Sequence, residues 1–283
     1  MPEQTLFYVV FILQILLLSF YFPRRILMRI RYVMENYPES TYPRLYPKSE
    51  NLFKRATNIF LWINVINFIL GWAILLLVIK GVLLSEGRVH PMLPWGYFML
   101  QMIGSQYLEF SGFKFAKLMK EADTRKIKSV ELKRRKFFDY VPPMLFWAVI
   151  ATYVGFVWFA FAIMDVGADV LGSTIGLCVV LLLGYAFFFA IILWIIYGKK
   201  VDPYQSQDDR IRTARVAIKA QCFTMIMTAV FLAFLVAHER YGLGAYLPVA
   251  MSLFLQLLVV MSMGYLLQNN KIDDNDFDVY KAE

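Results

Sequence analysis

The chain has 283 residues, 59% of them hydrophobic and only 18% charged, with a mean hydropathy of +0.55 and a formal charge of +8. Soluble proteins average roughly 45–50% apolar and about 25% charged residues, so the apolar excess here needs a neighbour other than water, and lipid is the candidate. The same figures exclude a disordered or collagenous chain, and basic residues confined to short connections beside apolar runs do not suit a nucleic-acid partner.

Seven apolar runs follow in chain order, at about 5–22, 59–79, 93–111, 143–164, 171–197, 217–237 and 247–267. A helix rises about 1.5 Å per residue, so roughly 20 residues cross a hydrocarbon layer of about 30 Å. Only a helix satisfies its own backbone there. The expected fold is all-α: a polytopic membrane protein of seven transmembrane helices in one transmembrane domain, 1–283. The third run is the most polar, carrying Gln101, Gln106 and Glu109. The first has no basic leader and no small-residue cleavage site, and reads as a retained span rather than a signal peptide. Cys178 and Cys222 fall inside apolar runs and read as structural thiols.

Lysines and arginines set the orientation. Of the 29, all but Lys80, Arg88 and Arg240 fall in the connections after the first, third and fifth runs, at the very start of the sixth run (Lys219), or in the tail. That alternation puts the N-terminus outside and the C-terminus in the cytoplasm of a cell membrane, with a bacterial inner membrane as the expected location.

The first cytoplasmic connection, 23–58, starts at Pro23, read as the exit from the first span. In RRILMRIRYVME, apolar residues at helical spacing alternate with Arg24, Arg25, Arg29 and Arg31, which suits an interfacial helix at the headgroup level. Three Tyr-Pro steps follow, at Tyr37, Tyr42 and Tyr46. Proline fixes φ and biases the preceding residue toward extension. Tyrosine suits a boundary that is apolar on one side and wet on the other. The segment reads as a stiff interfacial strap, with these arginines and tyrosines contacting anionic headgroups. The second basic connection, 112–141, is expected to prolong the third span as a basic helix before a second interfacial segment. Residues 268–283 read as an acidic, solvated cytoplasmic tail; DDNDFD lacks the glycine and final glutamate of an EF-hand.

The runs before and after the fourth share an order of features: a basic inner end, then KRAT at 54–57 or RTAR at 212–215, then Leu93-Pro94 or Leu247-Pro248. This suggests a 3+1+3 layout of parallel pseudo-repeats, with the fourth span as inversion linker. Gly184 and GSTIG at 172–176 are candidate sites of close helix approach.

Polar residues inside apolar runs need partners and are the candidate solute-binding positions. They are Asn64 and Asn67 in the second run, Gln101, Ser105 and Glu109 in the third, and Gln256 in the seventh. Gln14, Ser252 and Ser262 are further polar positions. Glu109 is a candidate proton- or cation-coupling carboxylate, or the ion-pair partner of Lys114. On the outer side His90, Asp165, Asp169, His238 and Glu239 are weak metal candidates without a ligand spacing. Walker A, Rossmann, HExxH and GxSxG patterns are absent, the seventh run has no lysine for a Schiff base, and no cofactor is expected.

These features suggest a small-solute transporter or channel-like protein. The alternatives are a scaffold or lipid-binding regulator that recruits a partner, and an enzyme acting on lipid through Asp139, Asp202, Asp208 and Asp209. Expected partners are membrane lipids, a second copy, or a membrane protein.

Overall fold

The structure is a computed structural model and describes residues 2–85, 87–123, 135–163, 174–198 and 202–281. Helix α1 (Pro2–Gln14), a π-helical turn (Ile15–Tyr21) and α2 (Phe22–Asn36) form one uninterrupted rod. α3 (Glu50–Ile79) returns through the layer, and the hairpin of β1 (Leu84–Ser85) and β2 (Arg88–Val89) leads into α4 (Met92–Ala122). α5 (Pro143–Ile163), α6 (Thr174–Tyr197) and α7 (Gln207–Arg240) follow. The last rod joins α8 (Leu247–Val259), a second π-helical turn (Val260–Gly264) and α9 (Tyr265–Asn269).

Among the described residues, six stretches are long and apolar enough to cross a membrane: Glu3–Asn36, Glu50–Ile79, Pro143–Ile163, Thr174–Tyr197, Gln207–His238 and Gly244–Asn269. Their outward faces carry bulky apolar groups, with Trp62 64% and Trp158 74% exposed. This is the build of a multi-pass integral membrane protein. α4 differs from the seven-span expectation. At 31 residues it is long enough, but its polar side chains keep it out of that apolar set.

Two helix groups make up the fold. α5, α6 and α7 share one core around Phe156, Leu181, Ile218 and Met225. α1, α3, α4 and α8 share another around Phe11, Ile15, Leu75 and Tyr97, continued along the helices by Phe22, Phe98 and Leu255. The last rod lies between the two groups: α8 enters the core of the first three rods, while Phe254 stacks on Phe231 of α7 and Tyr265 meets Phe223 of α7 edge to face. Buried Gly71 and Gly104 mark close approaches: a Cβ on Gly71 would lie 2.2 Å from the Tyr97 hydroxyl, and one on Gly104 would lie 2.8 Å from Asn64 Nδ2. Gly184, expected in that role, faces open space. Residues 172–173 of GSTIG lie outside the described residues.

The first connection also departs from expectation. Pro23 does not end the first helix. A proline inside an α-helix loses one hydrogen bond and presses its ring on the carbonyl four residues back. Here the wider π turn sits immediately upstream and the rod runs on to Asn36. The arginine-rich segment is therefore the end of a long helix rather than a separate one lying flat.

The acidic tail is docked through its aromatic rings, while Asp273, Asp274, Asp276 and Asp278 stay exposed. Phe277 stacks on Tyr37 with ring centroids 3.8 Å apart, and Tyr280 is buried with Met119 and Tyr204. Ser206 caps the start of α7, its Oγ accepting from the Asp209 N–H, and the Asp209 carboxylate accepts from Arg212 at 2.8 Å and from the Asp276 N–H at 2.9 Å. Arg212 also reaches Asn275 Oδ1 at 2.6 Å, and Tyr280 donates to Asp202. An amphipathic tail beside a basic, aromatic face has both charge and ring partners at hand, which is why it folds back.

Two residues expected at lipid headgroups are taken up by these contacts. Tyr46 is 3% exposed, with its hydroxyl on the Tyr37 carbonyl, and burial pushes that hydroxyl's pKa up to about 12. Arg29 donates to the Leu267 and Asn270 carbonyls, satisfying the C-terminal end of α9. Tyr37 and Tyr42 are half-buried, their rings edge to face at 5.2 Å.

Candidate functional site

The polar residues of α1, α3, α4 and α8 meet in one buried network. At its centre Gln14 Nε2 donates to Gln101 Oε1 at 3.1 Å and to the Pro94 carbonyl at 3.2 Å. Gln101 Nε2 donates in turn to Ser19 Oγ at 2.8 Å. Ser252 Oγ donates to Gln14 Oε1 at 2.6 Å, and Gln256 Nε2 bridges Ser252 and the Val10 carbonyl. On the other flank Ser19 pairs with the Tyr97 hydroxyl at 3.1 Å, Tyr97 donates to the Asn67 carbonyl at 2.8 Å, and Asn67 Nδ2 donates to the Leu100 carbonyl at 2.9 Å. Gln14 and Ser252 are fully buried, and Gln101 is 2% exposed.

Local sequence explains the convergence. In an α-helix residues five apart point about 140° away from each other, so Gln14 and Ser19 should face different neighbours. A π-helix closes its turn on the fifth residue, and the segment from Ile15 to Tyr21 adopts it. Gln14 and Ser19 therefore stack on one face and hold Gln101 between them. Gly71 makes room for the Tyr97 ring on the same level.

The network carries amides and hydroxyls only, so it can exchange hydrogen bonds with a neutral polar group but offers no ion a counter-charge. Above it, a polar pocket of about 270 Å³ opens between Glu3, Gln4, the Gly87–Val89 hairpin and Pro248. The stacked pair Phe7 and Phe11, centroids 5.2 Å apart, separates the two, with Phe11 also against Tyr97. Below it, Ser19 and Asn64 line a groove of about 590 Å³ between the first rod and α3.

Of the expected solute-binding residues, Asn67, Gln101 and Gln256 join the network. Asn64 lies beside it and donates to its own helix at the Phe60 carbonyl. Ser105 is half-buried and Glu109 exposed, and among the described residues neither makes a hydrogen bond or ion pair, including with Lys114. Ser262 donates to the Leu258 carbonyl of its own helix. Ser19 and Tyr97 escaped the sequence reading. A serine and a tyrosine are common in spans, and the five-residue spacing of Gln14 and Ser19 does not look like one face.

Asp165 and Asp169 lie outside the described residues, as does the Glu239 side chain. His90 accepts from the Met92 N–H, His238 contacts the Leu235 carbonyl, and no cluster able to hold a metal occurs among the described residues. Asp139 accepts Arg215 through its backbone carbonyl, while Asp202 and Asp209 hold the tail. Cys178 and Cys222 are buried and unpaired with each other, in the α5–α7 group.

Comparison of the chain with known protein families, with curated proteins and with solved structures finds no match.

Proposed function

We propose that this membrane protein passes a small, neutral, polar solute through the group formed by α1, α3, α4 and α8. The observation that carries the reading is the uncharged hydrogen-bond network placed between a polar pocket on one side and a groove on the other. An intramembrane polar cluster marks a pathway when it lies between openings. The conformation is the closed one, with the Phe7–Phe11 pair as the outer barrier.

The same reading makes α4 a seventh span. Its polar Tyr97 and Gln101 are hidden, while Met99, Ile103 and Phe110 face outward. Seven crossings with basic connections on one side put the N-terminus outside and the C-terminus in the cytoplasm, as in a bacterial inner membrane protein. The scaffold alternative is less favoured, because the tail that would recruit a partner is committed to its own chain. A lipid enzyme is disfavoured by the structural duties of Asp202 and Asp209.

Purified protein in liposomes, assayed for uptake of glycerol, urea and monosaccharides, tests transport. Saturable uptake of at least one solute is expected, reduced at least tenfold in Gln101→Leu and unchanged in Glu109→Gln. Uptake no faster than in empty liposomes across the panel contradicts it.

A further inference from the structure

The groove below the network has a chemistry that solute passage does not use. Its wall is apolar, formed by Phe20 and Leu27 of the first rod and by Leu61, Val65 and Phe68 of α3. Arg24 and Arg31 line it as well, seven residues apart and so on one face of α2. No acidic side chain lines it.

The four arginines of this helix have divided roles. Arg29 is spent on the end of α9, and Arg25 lies over the Tyr21 ring and donates to its hydroxyl. Arg24 and Arg31 are exposed. Arg24 lies 5.8 Å from the Phe20 ring centroid, and among the described residues neither guanidinium makes a hydrogen bond or ion pair. Two uncompensated cations beside an apolar slot need an anion that carries an apolar chain.

We propose that this groove binds one anionic glycerophospholipid, with its phosphate at Arg24 and Arg31 and an acyl chain along Phe20, Leu27, Val65 and Phe68. Charge complementarity chooses the head, since a guanidinium matches phosphate oxygens and basic pockets between membrane helices select anionic lipids. Depth chooses the chain. Phe20 and Phe68, 6.1 Å apart, sit within the apolar part of both helices, and the arginines lie one to three turns nearer the charged connection. Ser19 and Asn64 line the same groove, so a lipid held here closes that opening of the proposed path and has to leave before a solute passes, while its binding does not itself require transport.

The full chain, released from nanodiscs of equal phosphatidylglycerol and phosphatidylcholine, is analysed by native mass spectrometry for retained lipid. One phosphatidylglycerol per chain is expected, preferred over phosphatidylcholine. Retention falls at least tenfold in Arg24→Gln/Arg31→Gln and in Val65→Trp, which fills the slot without touching charge, and persists in Arg55→Gln. The paired arginine variant decides alone should Val65→Trp not fold, because both positions are exposed. Equal retention of the two lipids, or undiminished phosphatidylglycerol in the paired variant, overturns the proposal. So does a lipid-free dimer that Val65→Trp dissociates, which assigns the groove to a second copy.

Discussion

Gln14 and Ser19 lie on one face of the first helix, five residues apart, and together hold the two ends of the Gln101 amide. The π turn between them makes that possible. Inserting one alanine after Leu16 puts Gln14 and Ser19 six residues apart along the chain, a spacing that neither an α- nor a π-helical turn brings to one face, and so turns Gln14 away from Gln101. Thermal unfolding in detergent should register a loss of at least about 2 kcal/mol, the scale of leaving buried amides unpaired. Leu16→Ala, at a 42% exposed position, should cost far less.

The amide pair itself can be measured. Gln101→Leu leaves Ser19 and Gln14 each short of a partner and should destabilise by about 1–3 kcal/mol. Interhelical hydrogen bonds in membranes couple by about 0.6 kcal/mol on average and up to about 1.7. A double-mutant cycle of Gln14→Leu and Gln101→Leu should fall in that range, and a coupling of zero would remove the pair from the network.

Gly71→Ala places a methyl group 2.2 Å from the Tyr97 hydroxyl and 2.8 Å from Ile15. Overpacking of this kind costs about 1–3 kcal/mol. Tyr97→Phe should rescue it only in part, because the ring carbon Cζ is still 2.7 Å away. Gly184→Ala, facing open space, should leave the melting temperature unchanged.

Docking of the tail rests on Phe277 and Tyr280. Phe277→Ala should hasten proteinase K cleavage within 271–281 several-fold while the helical core stays intact. Burial, then the neighbouring Asp202 carboxylate, raise the Tyr280 pKa above the ordinary 10.0. A raised folded-state pKa stabilises the docked form fully below the unfolded value, and the contribution fades as pH climbs beyond it. Cleavage should therefore be steady through neutral pH and accelerate above about pH 10, a rise that Tyr280→Phe abolishes.

Membrane character was legible in the sequence because apolar excess and run length are averages over many residues. Gln101, Asn67 and Gln256 were legible for a related reason: an amide in an apolar run has to find a partner. Three features were not. The π turn that unites Gln14 with Ser19 is a change of helical period, invisible to a search that assumes one period. The continuation through Pro23 depends on that same turn. The docked tail depends on pairings such as Phe277 with Tyr37, 240 residues distant along the chain, which no local pattern encodes. Glu109 stands out in the sequence for its charge; it lies exposed on α4, apart from the buried network.

Whether the network ever meets water is the most direct test of solute passage. Cysteines are placed at Ser252 and Ser19 in a chain whose Cys178 and Cys222 are replaced by alanine, and an impermeant methanethiosulfonate is added to each face of sealed vesicles in turn. Passage predicts that the position-252 thiol reacts from the side of Glu3 and Gly87, and the position-19 thiol from the side of Arg24. If both stay unreactive from either face while a loop cysteine at Ser40 reacts fully, the network is a sealed structural clamp and no solute moves through it.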